Sequence, residues 1–127
     1  MGFLTKNHPA LLYSGLNINM ENFEQRWLDT QNNLRDRFGK VPDMEGILFL
    51  IGFNELGSPD EKFSKEQKQD LMHIGVCTLL SQVGFYEPVG KDIDGWPHFH
   101  ELERPSTIGV KEQEQLLKEC AILYFGM

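Results

Sequence analysis

Basic residues are in short supply: twelve lysines and arginines stand against nineteen aspartates and glutamates, a formal charge of -7 over 127 residues. A surface of that sign repels phosphate backbones and anionic headgroups unless its cations cluster locally. They do not. Lys62, Lys65 and Lys68 come nearest to a run, but Asp60, Glu61, Glu66 and Asp70 are interleaved with them, the pattern of a solvated helix face. Nucleic acid is not an expected partner.

Cysteine is nearly absent too, with Cys77 and Cys120 far apart in apolar surroundings, where a free thiol behaves as a small hydrophobe. Long apolar runs are missing: the longest, from Ile47 to Phe53, is interrupted by Gly52 and falls far short of the ~20 residues a membrane span requires. The opening MGFLTKNHPALLYSG lacks the cationic start and apolar core of a secretory signal, and Lys6 stands where a myristoylation pattern wants Ser or Thr. A soluble protein in the reducing cytoplasm is the expectation.

Catalytic and nucleotide-binding signatures are also lacking. Neither phosphate-binding glycine pattern occurs, and Ser14, Ser58, Ser64, Ser81 and Ser106 lie in no G-x-S-x-G elbow. The twelve glycines therefore read as helix ends and turns. No cofactor and no catalysis are expected on this count.

What is present is an ordinary globular composition, 40% apolar and 24% charged, in a length that suits one domain (1–127) around one core. Four amphipathic or apolar stretches predict helices. In the first, about 19–38, Met20, Phe23, Trp27, Leu34 and Phe38 recur at helical spacing, with Asn19 as cap, Gly39 as stop and Pro42 beyond. The second, about 43–56, begins at Asp43 and ends at Gly57. It is apolar nearly all round, which predicts enclosure at the centre of the fold.

The third, about 64–83, opens with Ser64 and Gln67, the spacing of a capping box. The fourth, about 110–125, turns Val110, Leu116, Leu117, Ala121, Leu123 and Tyr124 inward. Between the last two, FYEPV and WPHFHEL flank Asp94-Gly95, a dipeptide suited to a two-residue type I′ turn. The expected fold is mainly α: a four-helix bundle-like domain with a β-hairpin, about 85–102, inserted between helices three and four.

The stretch GKDIDGWPHFHEL concentrates the candidate chemistry. Strand alternation puts His98 and His100 on one face with Trp96, and turns Phe99 away. Two imidazoles on one face can begin a divalent transition-metal site, and helix three offers Asp70, His73 and Cys77 at i, i+3 and i+7 as further donors. The H-x-H spacing alone does not complete a ligand set.

An EF-hand register starting at Gly90 would put Asp92, Asp94, Gly95 and Glu101 at positions three, five, six and twelve, but it lacks the first carboxylate and has Pro97 at the eighth. A di-iron bundle would need a second E-x-x-H, which is missing.

Three readings follow. The leading one is a non-catalytic interaction or scaffold protein that self-associates, as a homodimer or with a protein partner. Trp96, Phe99, Tyr86, Tyr124 and Phe125 are its contact candidates, with Phe85 beside them, because aromatic residues are enriched at interface cores. The second is a metal-binding protein or metal-dependent enzyme using His98, His100, His73, Cys77 and Asp70. The third is a small-ligand module beside Asn54 and Glu55, where an enclosed carboxylate needs a donor such as Arg104 or Lys68.

Overall fold

The computed structural model describes residues 20–57, 62–103 and 109–126, apart from the side chains of Met20 and Glu21. Among these residues lie helices α1 (Met20–Phe38), α2 (Met44–Leu56), α3 (Lys65–Ser81) and α4 (Val110–Phe125). An antiparallel hairpin of β1 (Tyr86–Lys91) and β2 (Pro97–Glu101) falls between α3 and α4. The fold is mainly α with an inserted hairpin, as the sequence predicts. The Asn19 cap and Arg104 lie outside the described residues.

Helix boundaries follow local chemistry. The Asp43 carboxylate accepts from the Gly46 N–H at 2.8 Å and opens α2, and Gly57, at φ +71°, closes it by donating to the Phe53 carbonyl. The capping box forms: Ser64 Oγ accepts from the Gln67 N–H at 3.1 Å, and Gln67 Oε1 accepts from the Ser64 N–H at 2.9 Å. Each pair satisfies donors that a helix start otherwise leaves open. The third helix ends at Ser81, two residues earlier than expected, and a turn through Gly84 (φ +91°) delivers the chain to Phe85.

The closest packing in the fold is between α2 and α3, and it is made backbone to backbone. A Cβ on Gly52 would overlap the Leu71 carbonyl and approach the Leu71 Cα to 3.1 Å; a Cβ on Gly75 would do the same to Leu48. Leu48 and Gly52 are four residues apart, as are Leu71 and Gly75, so two antiparallel i±4 ridges mesh glycine against leucine twice. This corrects the reading of the glycines as helix ends and turns. Gly39, Gly57, Gly84, Gly90, Gly95 and Gly126 do take positive φ, but Gly52 and Gly75 are buried contact residues.

Around this crossing lies the main core of Leu34, Ile47, Ile51, Leu79, Leu80, Val83, Phe85, Leu116, Cys120 and Ala121. Phe85, expected at the surface, is one of its largest members at 1% exposure, because the turn after α3 directs it inward. A smaller cluster of Leu56, Leu71 and Ile74 gathers Phe49, Phe63, Trp96 and Phe99.

Two expectations about the helices are overturned. Ile47, Ile51, Gly52 and Leu56 of α2 are buried, while Leu48, Phe49, Leu50 and Phe53 are half-buried, so the described residues do not enclose α2 on every face. In α4, Val110 (83% exposed) and Leu123 (59%) face outward. Glu119 instead takes an inward position, where its carboxylate accepts both guanidinium arms of Arg26 on α1, one of them at 3.0 Å.

Two outcomes test this packing. Gly52→Ala, which by helix propensity alone would stabilise by about 1 kcal/mol, lowers stability instead, by about 1–3 kcal/mol or more, in denaturant unfolding. Arg26→Met leaves the Glu119 carboxylate buried without its partner and costs up to about 3 kcal/mol, and adding Glu119→Leu recovers much of that loss. A double variant no more stable than Arg26→Met would contradict the pairing.

Candidate functional site

The hairpin apex is a three-residue loop, 93–95, in place of the expected two-residue turn. Among the described residues only glycines take positive φ, so Asp94 cannot occupy a type I′ position. Gly95, at φ +87°, donates to the Asp92 carbonyl at 3.0 Å, and the Asp92 N–H donates to the Trp96 carbonyl at 3.0 Å.

The Asp92 side chain organises the apex. Its Oδ1 accepts from the backbone N–H groups of Asp94 (3.0 Å) and Trp96 (2.9 Å), and its Oδ2 lies 3.0 Å from His98 Nε2. These bonds, with the His98 contact foremost, hold the carboxyl below its ordinary value.

Register then sorts the hairpin side chains. Phe99, which pairs with Pro88, turns into the smaller cluster, while His98 and His100 lie exposed. Trp96 lies outside the strand, so alternation does not govern it, and it packs in the cluster with Phe99 rather than beside the histidines. That overturns the expected facing of Trp96, while Phe99 turns away from the histidines as strand alternation predicts.

The metal candidates are not brought into one group. His73 Nε2 lies 3.6 Å from Cys77 Sγ, His98 contacts Asp92, and Asp70 and His100 are exposed elsewhere. The α3 stripe does meet the hairpin, but through Glu101, whose charge, second to burial, raises the Cys77 thiol to about 11. Among the described residues no group of three or more His, Cys, Asp or Glu side chains could hold an ion. Burial raises the Cys120 thiol to about 12, so both free, buried cysteines keep their protons well above neutral pH.

Glu55 is met from α4. The Tyr124 hydroxyl donates to Glu55 Oε2 at 2.7 Å, and the Tyr124 ring meets Phe125 edge-on with centroids 5.1 Å apart. Among the described residues the carboxylate partner is thus a tyrosine. Burial, reinforced by Glu55, raises this phenol to about 12. A cavity of about 240 Å³ lies at the α1–α2 corner, bordered by Phe38, Val41 and Pro42, and Asn54 and Glu55 do not line it.

What the structure does assemble is an aromatic patch. Phe49 and Phe53, one turn apart on α2, stack at 6.3 Å; Phe63 meets them edge-on at 6.4 and 6.1 Å; Trp96 meets Phe63 edge-on at 6.3 Å. All four are half-buried. Ile93, at the hairpin apex, is fully exposed.

Of the contact candidates, Trp96 joins this patch and Phe99 packs against the same small cluster, while Tyr86, Tyr124 and Phe125 are half-buried against the main core. Phe49, Phe53 and Phe63 were not candidates. The first two carried a signal, an i, i+4 aromatic pair on a helix apolar nearly all round. Phe63, between Lys62 and Ser64, carried none.

No family model, curated protein or solved structure matches the chain. Among the described residues no helix is long and apolar enough to cross a membrane.

The Tyr124–Glu55 bond predicts an alkaline effect. A phenol raised in the folded state stabilises it fully below the ordinary tyrosine value of 10.0 and loses that contribution as pH rises through about 12. Ultraviolet titration should show one tyrosine ionising near the upper limit, and Tyr124→Phe should remove that step and cost about 1 kcal/mol. A late step that persists in Tyr124→Phe would contradict the assignment.

Proposed function

We propose that this protein is a non-catalytic interaction module that pairs with a second copy of itself through the aromatic patch of Phe49, Phe53, Phe63 and Trp96. The observation that carries this reading is the mismatch between α2 and its surroundings. A helix apolar on all faces belongs in an interior, yet Leu48, Phe49, Leu50 and Phe53 remain half-buried among the described residues.

The patch has the chemistry of an interface centre. Aromatic side chains supply large apolar area with few rotors to immobilise, and their edge-to-face packing presets the surface a partner would meet. Free, buried Cys77 and Cys120 suit a reducing, cytoplasmic setting, where thiols stay unpaired. The edges of the hairpin favour side-chain docking over strand addition: Pro88 and Pro97 remove ladder donors, and the register shifts between Pro88 and Gly90.

Sedimentation velocity tests the reading. The protein should show a concentration-dependent dimer, and Phe53→Asp should abolish it without loss of helical circular dichroism. Val110→Asp, on an exposed position of α4, should leave the dimer intact. A wild-type protein that stays monomeric at high concentration rules the reading out.

A further inference from the structure

We propose that the carboxylate of Asp92 is the positioning group of the aromatic patch: by holding the Trp96 backbone N–H it sets where the indole rests on Phe63, and so whether the patch is assembled for pairing. Its consequence for pairing rests on the self-association reading above; its structural part stands alone.

Trp96 sits at a break in the hairpin ladder. The pairing register ends at Lys91 opposite Pro97, and proline has no N–H to donate there. The residue that must present the indole therefore follows an exposed loop and precedes a strand residue unable to donate. Two bonds bridge the gap. One is the Asp92 N–H to the Trp96 carbonyl at 3.0 Å; the other is the Trp96 N–H to Asp92 Oδ1 at 2.9 Å. Both ends of the Trp96 peptide geometry are thus tied to a single residue across the loop.

The carboxylate does more than one ladder bond would. Through Oδ1 it also gathers the Asp94 N–H, which fixes the path of the loop, and through Oδ2 it meets the His98 ring on the strand. One side chain thereby joins the apex, Trp96 and β2. The indole, in turn, is the hairpin's edge-on contact with Phe63, and Phe63 meets both Phe49 and Phe53. An error in the placement of Trp96 is passed directly to the outer edge of the patch. Because the two backbone donors need only an acceptor oxygen, an asparagine amide can serve them, whereas alanine cannot.

The test uses the full chain with Trp27→Phe, so that Trp96 is the sole emitter of the two tryptophans. In that background Asp92→Ala should shift Trp96 emission to the red and raise acrylamide quenching toward that of a solvent-exposed indole, with helical circular dichroism unchanged. Asp92→Asn should keep the parent's emission and protection. In sedimentation, Asp92→Ala should weaken self-association about tenfold, which corresponds to about 1.4 kcal/mol at the contact.

The positioning role is overturned if Trp96 is as protected in Asp92→Ala as in the parent, or if Asp92→Asn exposes it as fully as alanine does. The two readings fail separately. A parent that is monomeric throughout, with Trp96 exposed by alanine and protected by asparagine, upholds the positioning role and removes the self-association reading.

Discussion

The crossing of α2 over α3 is the constraint on which the rest of the structure depends. At Gly52 and Gly75 the two backbones approach until no side-chain atom fits between them, and this closeness fixes both the depth and the register of the pair. Glycine in a helix interior costs conformational entropy; here that cost is offset by contact along the whole crossing. Leu71 and Leu48, the residues met by the glycines, extend toward the two clusters on either side. One crossing thereby sets the geometry of the main core and of the smaller aromatic cluster.

The other elements follow from that frame. With α3 fixed, the turn at Gly84 drops Phe85 into the main core, and the Phe85 carbonyl then accepts from Leu102 at 2.8 Å, tying the end of the hairpin back to its start. The hairpin lies along α3, with Phe99 under it and the histidines outside. On the far side, α4 closes the core with Leu116, Cys120 and Ala121 and is locked to α1 by the Arg26–Glu119 pair. Gln82 Nε2 adds a bond from the end of α3 to the Cys120 carbonyl at 2.9 Å. Among the described residues the same frame leaves Phe49 and Phe53 of α2 half-buried, and the aromatic patch forms there.

Much of the fold is legible in the sequence because its signals are local. Asp43, the Ser64–Gln67 box and the glycines at Gly39 and Gly57 act within a few residues of themselves, so their spacing is enough to place helix ends. The hairpin is also legible in outline. Its turn is not, since Asp94-Gly95 suits a two-residue turn in isolation, while the Asp92 carboxylate, with its two backbone bonds, supports a three-residue one.

The site is less legible because it is set by tertiary contact. Alternation assigns Trp96 to the histidine face only if it is a strand residue, and it is not. Glu119 reads as a solvent-facing acid until Arg26 arrives from a helix more than ninety residues away. Gly52 and Gly75 read, with the other glycines, as helix ends and turns, and nothing in either segment announces that each meets a leucine of the other helix. The approach of His73 to Cys77 and the opposite facing of Phe99 and the two histidines are visible as spacing, but which of these groups meet across the fold is not.

Native-state hydrogen exchange tests the primacy of the crossing most directly. The amides of residues 51–53 and 72–75 should exchange only by global unfolding, with the slowest rates in the protein and the same denaturant dependence as the whole chain. Exchange of these amides through local opening, while α1 and α4 remain protected, would contradict it.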